Sequence, residues 1–291
     1  MRIAAFFYQQ QPHVGLVSDD LLTVTPFDMP TALRALGALP IVEMLSRGET
    51  LPAMLAAVPL ADVTLRAPLP QPRRNIFCVG KNYHAHAQEF ARSGFDSSAK
   101  PGGEIPTSPI IFTKVPECVI ATDDAIEIPV GVSTAIDYEA ELAVVIGRGG
   151  KGISKANAMQ HVWGYTIVND VTARDWQNRH MQWHMGKSFD TFCPMGPWLV
   201  SADAIDATNT QVRCWVNGEI RQNASTKDLI FDIPTLIETL SAGITLYPGD
   251  VIATGTPVGV GIGFTPPKYL QKGDVVRVAI DGLGEITNPV V

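Results

Sequence analysis

No apolar run in the 291 residues approaches the roughly 20 that span a bilayer, and Met1-Arg2-Ile3 leads straight into a strand-like stretch without a signal-peptide pattern. Neither a membrane span nor a secretory leader is expected, and the sequence reads as cytoplasmic. Basic residues are in the minority, 22 Lys+Arg against 29 Asp+Glu for a net charge of -7. That argues against nucleic acid, whose phosphates call for a basic face. An anionic partner would need local help from a metal or a few placed cations. Cysteine is sparse: Cys78, Cys118, Cys193 and Cys214 show no CxxC pairing. Neither a zinc knuckle nor a disulfide framework is indicated, and core thiols are expected. None of the six histidines falls in HExxH spacing, and the glycines of Ala253–Gly263 do not form the GxxxxGK[ST] phosphate loop.

What is present is a chain 46% hydrophobic and 18% charged, long enough for a sizeable core. Residues 1–70 mix strand-like Ile3–Tyr8 and Leu21–Thr25 with helical patterns at Thr31–Ser46 and Leu51–Val58, and read as a small α+β leading module. Three prolines in Ala67–Arg74 suit an extended linker. A larger domain follows over 71–291. Its short β-rich runs are Ile76–Val79, Ile110–Lys114, Ala125–Ile128, Glu141–Ile146, Gly164–Asn169, Trp198–Ser201, Val251–Thr254 and Val275–Ile280. Asn217-Gly218 between Arg213 and Arg221 predicts a hairpin. Pro248-Gly249-Asp250 and Lys272-Gly273-Asp274 predict turns. The best helix is Asp232–Ser241, with Ile233, Leu236, Ile237 and Leu240 on one face and Asp232 as its cap. Strands outnumber helices without regular alternation, which points to a mainly β fold with some α rather than a doubly wound or barrel α/β fold.

The most informative stretch is Ile136–Gly147. In a strand, Asp137, Glu139 and Glu141 would share one face. An acidic alternation of this kind is commonly a solvated face. Here, however, it runs into the wholly apolar Leu142–Ile146, and Asp170 follows another apolar run, Trp163–Val168. Acids at the ends of two buried strands can gather a hard cation. Three carboxylates make an incomplete oxygen cage that suits Mg2+ or Mn2+, with Ca2+ as an alternative. Such an ion would also draw an acidic substrate into an acidic protein.

Candidate acid–base groups lie in Val79–Phe90, where His86 and Glu89 share a helical face so that the carboxylate can orient the imidazole. The polar stretch 91–109, with three glycines, reads as a loop able to close over a site. Lys187, between Gly186 and an aromatic-rich turn, could present a cation to an oxyanion. Arg174 could bind a substrate carboxylate, but pairing with Asp170 or Asp175 is the favoured expectation. Thr256 offers a hydroxyl. Trp176, Trp183 and Met185 could line a pocket, although core packing is the commoner role for such residues.

Taken together, Asn82-Tyr83-x-x-His86-x-x-Glu89, Asp137-Tyr138-Glu139-x-Glu141, Asn169-Asp170-x-x-x-Arg174-Asp175, Gly186-Lys187-Ser188 and Gly249-Asp250 with Thr254-Gly255-Thr256-Pro257 resemble the fumarylacetoacetate hydrolase superfamily over residues 75–291. Two features stand apart: Lys81 sits where smaller members often carry Arg, and His84 has no place in the pattern. The resemblance implies a mixed β-sandwich roll, a homodimer, and Mg2+ or Mn2+ held by Glu139, Glu141 and Asp170. It implies a His86–Glu89 dyad on a lid that becomes helical over substrate, Lys187 as an electrophilic or acid group, and Gln177 and Thr256 near a small 2-oxo acid, with Arg174 a candidate for the same substrate from its own chemistry. The leading expectation is hydrolytic C–C cleavage of a 2,4-dioxo acid, with His86 activating water. Decarboxylation of an oxaloacetate-type acid, or isomerisation of a 2-hydroxydienoate, uses the same groups. A non-catalytic, metal-stabilised binding module is a further alternative.

Overall fold

The computed structural model describes residues 1–92 and 105–291, so the middle of the expected loop, 93–104, lies outside the described residues. The N-terminal segment supplies β1 (Arg2–Tyr8), β2 (Gln11–Val17), β3 (Thr23–Pro26), α1 (Thr31–Arg34), α2 (Leu39–Ser46), β4 (Val58–Pro59) and β5 (Thr64–Arg66). The middle third supplies β6 (Ile76–Gly80), α3 (His84–Arg92), β7 (Ile110–Lys114), β8 (Val119–Ile120), β9 (Ile136–Asp137), β10 (Ala140–Ile146), β11 (Val162–Asn169), β12 (Thr172–Ala173), α4 (Arg174–Arg179), α5 (His184–Lys187) and β13 (Cys193–Ser201). The last part supplies β14 (Gln211–Val216), β15 (Glu219–Ser225), α6 (Ile233–Ser241), β16 (Val251–Ala253), β17 (Val275–Ile280) and β18 (Gly284–Pro289).

The main sheet runs β4-β3-β2-β1-β13-β11-β10-β16-β6-β7, with β5 on β1 and β8 on β13. Two of its pairings, β16 with β6 and β8 with β13, are parallel. A four-stranded antiparallel sheet, β15-β14-β17-β18, packs across β10 and β11. This is a mainly β fold of two stacked sheets with helices at the margins. Every residue of β10 is buried, as an apolar strand covered on both faces requires. In β14, by contrast, buried Val212, Cys214 and Val216 alternate with partly exposed residues, the signature of a sheet wet on one face. α6 buries Ile233, Leu236, Ile237 and Leu240, and Asp232 caps it by accepting the Thr235 N–H at 2.9 Å. The hairpin turns on Asn217 (φ 52°) and Gly218 (φ 80°). All four cysteines are free and buried.

β1 pairs with β13, so the N-terminal strands extend the main sheet, and the buried apolar residues on both sides of Ala67–Arg74 form one cluster. The segment between is irregular, as its prolines predict, but packed: Ala67 and Leu69 are buried.

Several local expectations give way. Leu51–Val58 is not a helix. Its backbone bridges the β3 region, Met54 opposite Phe27 and Leu55 N–H on the Pro26 carbonyl, so tertiary pairing overrides an apolar helical pattern that already carries Pro52. The Thr31–Ser46 helix breaks into α1 and α2 at Gly37, whose φ is +66°. Ala125–Ile128 makes only a bridge from Ile126 to Val290. The Trp198–Ser201 strand begins earlier, at Cys193, despite Pro194 and Pro197. At the shift in the β11–β13 register Thr166 covers the Trp198 carbonyl with its hydroxyl at 3.0 Å. Among the described residues no helix is long and apolar enough to cross a membrane.

Candidate active site

The register of β10 on β11 sets Ala140 opposite Asn169. One step beyond, Glu139 and Asp170 become neighbours, and the Asp170 N–H donates to the Glu139 carbonyl at 2.8 Å. Glu141, two residues into the strand, returns to the side of Glu139. The three carboxylates thus gather, all buried, with one oxygen of each within 4.8 Å of the others. Asp137 does not join them. The expected continuous strand is interrupted at Tyr138–Glu139, and Asp137 points its carboxylate to the Gly261 and Ile262 N–H groups (2.6 and 3.0 Å) and to Arg174 Nε (2.8 Å).

Arg174 is where the favoured pairing fails. It bonds neither Asp170 nor Asp175; its guanidinium spans Asp137 and, at 2.7 Å, Glu139, while Nη1 donates to Gln177 Oε1 at 3.1 Å. The reason is its place at the start of α4, with β12 below it paired to β9, the strand that carries Asp137. Asp175 instead accepts the Ser133 hydroxyl at 2.6 Å. Arg174 and Gln177 do line the central cavity, but as a bonded pair.

Lys187, at the end of α5, is 1% exposed and donates to Glu139 Oε2 (2.7 Å) and Asp170 Oδ2 (2.9 Å). Its ammonium also sits 4.9 Å from the centre of the Phe112 ring. Burial works to raise the Glu139 pKa, yet the charges of Lys187 and Arg174 outweigh it and hold that carboxyl well below its ordinary value. Glu141 goes the other way. Burial first, then the charges of Asp170 and Glu139, push its pKa well up, against the pull of Lys187 and a 2.8 Å bond from the Gly255 N–H. A buried oxygen donor set with one carboxylate short of positive charge fits a hard divalent cation.

His86 and Glu89 lie on α3, already helical here. His86 Nδ1 and Glu89 Oε2 are 3.2 Å apart, and Glu89 also accepts the Gly259 N–H at 3.1 Å. Gly263 passes so close to Glu89 that only a residue without Cβ fits the present arrangement. His86, Lys81, Phe90, Phe112, Trp183 and Thr256 complete the wall of a cavity of ≈ 10 Å³ around Glu139, Glu141 and Lys187. That is room for about one water or one ion, so a larger ligand requires α3 or its aromatic neighbours to shift. Phe90 and Phe112 meet the Trp183 ring edge-on at 6.0 and 5.3 Å. Trp176 and Met185, also considered for the wall, lie elsewhere: Trp176 packs on Phe189, and Met185 is exposed. The Thr256 hydroxyl is engaged, donating to the Ala140 carbonyl at 3.1 Å and accepting from Gln222 at 2.8 Å.

Sequence reasoning missed Lys114 and Gln222. Lys114 is a lysine closing an apolar strand run, a pattern that signals a buried cation. Asn82, the first residue of the motif that ends in His86 and Glu89, bridges the Phe231 and Thr254 carbonyls at 3.0 and 2.8 Å.

Comparison with known proteins agrees with this geometry. The model described as fumarylacetoacetate (FAA) hydrolase C-terminal matches residues 75–291. The oxaloacetate tautomerase YisK of Bacillus subtilis is 51% identical over 232 residues, 79% of this chain and 74% of that protein. The mitochondrial oxaloacetate tautomerase Fahd2a of Rattus norvegicus is 41% identical over 308 residues, covering 100% of this chain and 92% of its own. Among solved structures, maleylpyruvate hydrolase from Sphingobium sp. SYK-6, in complex with manganese(II) and pyruvate, superposes with a TM-score of 0.78 at 31% identity, over 100% of this chain and 99% of that one. With its fold, its gathered carboxylates and these relatives, the chain belongs to the fumarylacetoacetate hydrolase family of enzymes.

Proposed function

We propose that this chain is a divalent-metal enzyme that interconverts the keto and enol forms of a small 2-oxo dicarboxylic acid of the oxaloacetate class. The observation that carries the reading is the convergence of His86, Lys187, Glu139 and Glu141 on one small cavity, with the buried Asp170 carboxylate gathered beside them. Hydrolysis of a 2,4-dioxo acid, the leading expectation from sequence, uses the same groups. The relatives named oxaloacetate tautomerases, at 51% and 41% identity, favour the isomerising side of the alternative instead.

Glu139, Glu141 and Asp170 would hold the ion, Mg2+ or Mn2+. When bound it supplies Lewis-acid polarisation of a 2-oxo group and so acidifies the adjacent C–H. Glu89, 3.2 Å from Nδ1, fixes the tautomer in which Nδ1 carries the proton and Nε2 is the base. His86 Nε2 takes the C3 proton, the Glu89 carboxylate stabilises the imidazolium that results, and the imidazolium returns the proton to the enolate oxygen; loss of the enol runs the same two transfers in reverse. Lys187 sets its positive charge beside the oxygen where negative charge develops. Arg174, tied to Asp137, Glu139 and Gln177, keeps the wall rigid. Phe90, Phe112 and Trp183 form the apolar part of the wall. The family resemblance also implies that two copies of the chain work as a homodimer, which sedimentation velocity would check.

The test follows loss of the enol form of oxaloacetate by ultraviolet absorbance, with Mg2+ or Mn2+ and with EDTA, while CO2 release and cleavage of an acylpyruvate are measured in parallel. Metal-dependent acceleration of enol loss without CO2 is the expected result. No acceleration in the metal-loaded protein would overturn the reading, and cleavage of the acylpyruvate to pyruvate and a free acid would return it to hydrolysis.

A further inference from the structure

Lys114 ends β7 with no part of its side chain exposed, and it does not line the central cavity. Its ammonium donates to Asp170 Oδ1 at 2.7 Å, to the Val171 carbonyl at 3.0 Å and to the Lys187 carbonyl. A lysine ammonium has three N–H donors, and here each has an acceptor. The tetrahedral arrangement of the three therefore dictates where those acceptors lie. Asp170 is shared between two lysines, Lys114 on Oδ1 and Lys187 on Oδ2. With Oδ1 pinned from behind, the carboxylate cannot rotate, and Oδ2 stays on the side of Glu139 and Lys187. The bond to the Lys187 carbonyl anchors the backbone of the residue that contacts that same Oδ2.

We propose that Lys114 is a positioning residue for the cation site: it orients Asp170 and registers Lys187 against it, without touching substrate or metal. This rests on the reading of Glu139, Glu141 and Asp170 as metal ligands. An ordinary buried ion pair would contribute stability and leave the metal affinity of the folded chain alone. A positioning residue behind a ligand changes affinity, typically 10- to 100-fold.

The experiment measures Mn2+ affinity by titration calorimetry and by the electron-paramagnetic-resonance signal of free Mn2+. It uses the full chain as wild type, Lys114→Met and Lys114→Arg, each shown to be folded by near-ultraviolet circular dichroism at the temperature used. Lys114→Met is expected to raise the Mn2+ Kd at least about 10-fold. Lys114→Arg keeps the charge, but its planar fork cannot meet three tetrahedrally placed acceptors, and a rise of at least about 3-fold is expected. A folded Lys114→Met chain whose Kd is within about 2-fold of wild type overturns the positioning role while leaving the metal site intact. Should Lys114→Met not fold, a Lys114→Arg chain with wild-type affinity overturns it. A wild-type chain that binds no Mn2+ overturns both this role and the metal reading beneath it.

Discussion

Replacing Glu141 by Gln is expected to make the metal-free protein more stable, not less. Glu141, Glu139 and Asp170 each place an oxygen within 4.8 Å of the others. At an effective dielectric constant of about 20, each like-charge contact at that separation costs about 3 kcal/mol. Lys187 offsets part of the two contacts made by Glu141. A ceiling comes from protonation. A carboxyl of ordinary pKa 4.5 escapes the repulsion by taking up a proton, which at pH 7 costs about 3 kcal/mol. The amide of Gln still accepts the Gly255 N–H, so little else is lost. Glu141→Gln should therefore gain about 1–3 kcal/mol in EDTA at pH 7, read as a higher urea midpoint at unchanged slope. The sign with pH follows from linkage. The Glu141 pKa is raised in the folded state, so its penalty is absent below the unfolded value of 4.5 and grows as pH rises. The advantage of the variant should vanish at pH 4.5 and below. Saturating Mn2+ should reverse the order, since metal at 100 times its Kd stabilises the wild type by about 2.7 kcal/mol and the variant far less. A variant less stable than wild type in EDTA at pH 7, or an advantage that persists unchanged at pH 4.5, would refute the reasoning.

Other expectations concern the dyad and the buried arginine. His86→Ala should lower kcat about 10²- to 10⁴-fold in the enol assay while leaving the Mn2+ Kd unchanged; near wild-type turnover at saturating metal would remove His86 as the base. At Gly263 a Cβ would lie 2.1 Å from Glu89 Oε1 and 2.3 Å from its Cδ. Gly263→Ala should displace that side chain from His86 and lower kcat toward the value for Glu89→Gln, with a melting temperature close to wild type because the group that moves is the end of a side chain. Arg174→Met strips the cation from two buried carboxylates, Asp137 and Glu139, and should cost about 3–5 kcal/mol in urea unfolding. Glu139, held low by Lys187 and Arg174, contributes stability present above the unfolded value of 4.5 and lost as pH falls below it. The Arg174→Met chain should consequently lose less stability than wild type between pH 6 and pH 3.

Elements whose cause is local were readable from sequence. The apolar run ending in β10, the Asn217-Gly218 turn and the Asp232 cap each follow from residues within one turn or strand, and the structure contains all three. Leu51–Val58 shows the opposite case, where an apolar spacing suited to a helix is overruled by backbone bonds to Phe27 and Pro26, far off in sequence. At the site, the residue types and their clustering could be named in advance, because two apolar strands ending in acids can meet in few ways. The pairings between side chains could not. Arg174 is four residues from Asp170 and one from Asp175, yet it bonds Asp137 and Glu139 across the β9–β12 pairing. Lys114 meets Asp170 from 56 positions away. Such contacts depend on which strands become neighbours, and charge pattern alone does not encode that.

Those pairings also bear on how an acidic chain would receive the acidic substrate proposed for it. Three buried acids, Asp137, Glu139 and Asp170, meet three cations, Lys114, Arg174 and Lys187, in ion pairs among the described residues. Asp137 takes Arg174, Glu139 takes Arg174 and Lys187, and Asp170 takes Lys114 and Lys187. Glu141, beside them, is the carboxyl whose pKa is pushed up, by burial and by the charges of Asp170 and Glu139. The three basic side chains thus hold Asp137, Glu139 and Asp170 in place. A divalent ion held by Glu139, Glu141 and Asp170 would add two positive charges there and favour a carboxylate and a 2-oxo group. The overall charge of -7 then governs the surface, while the cavity has the opposite preference, set by Glu141 and whatever cation it attracts.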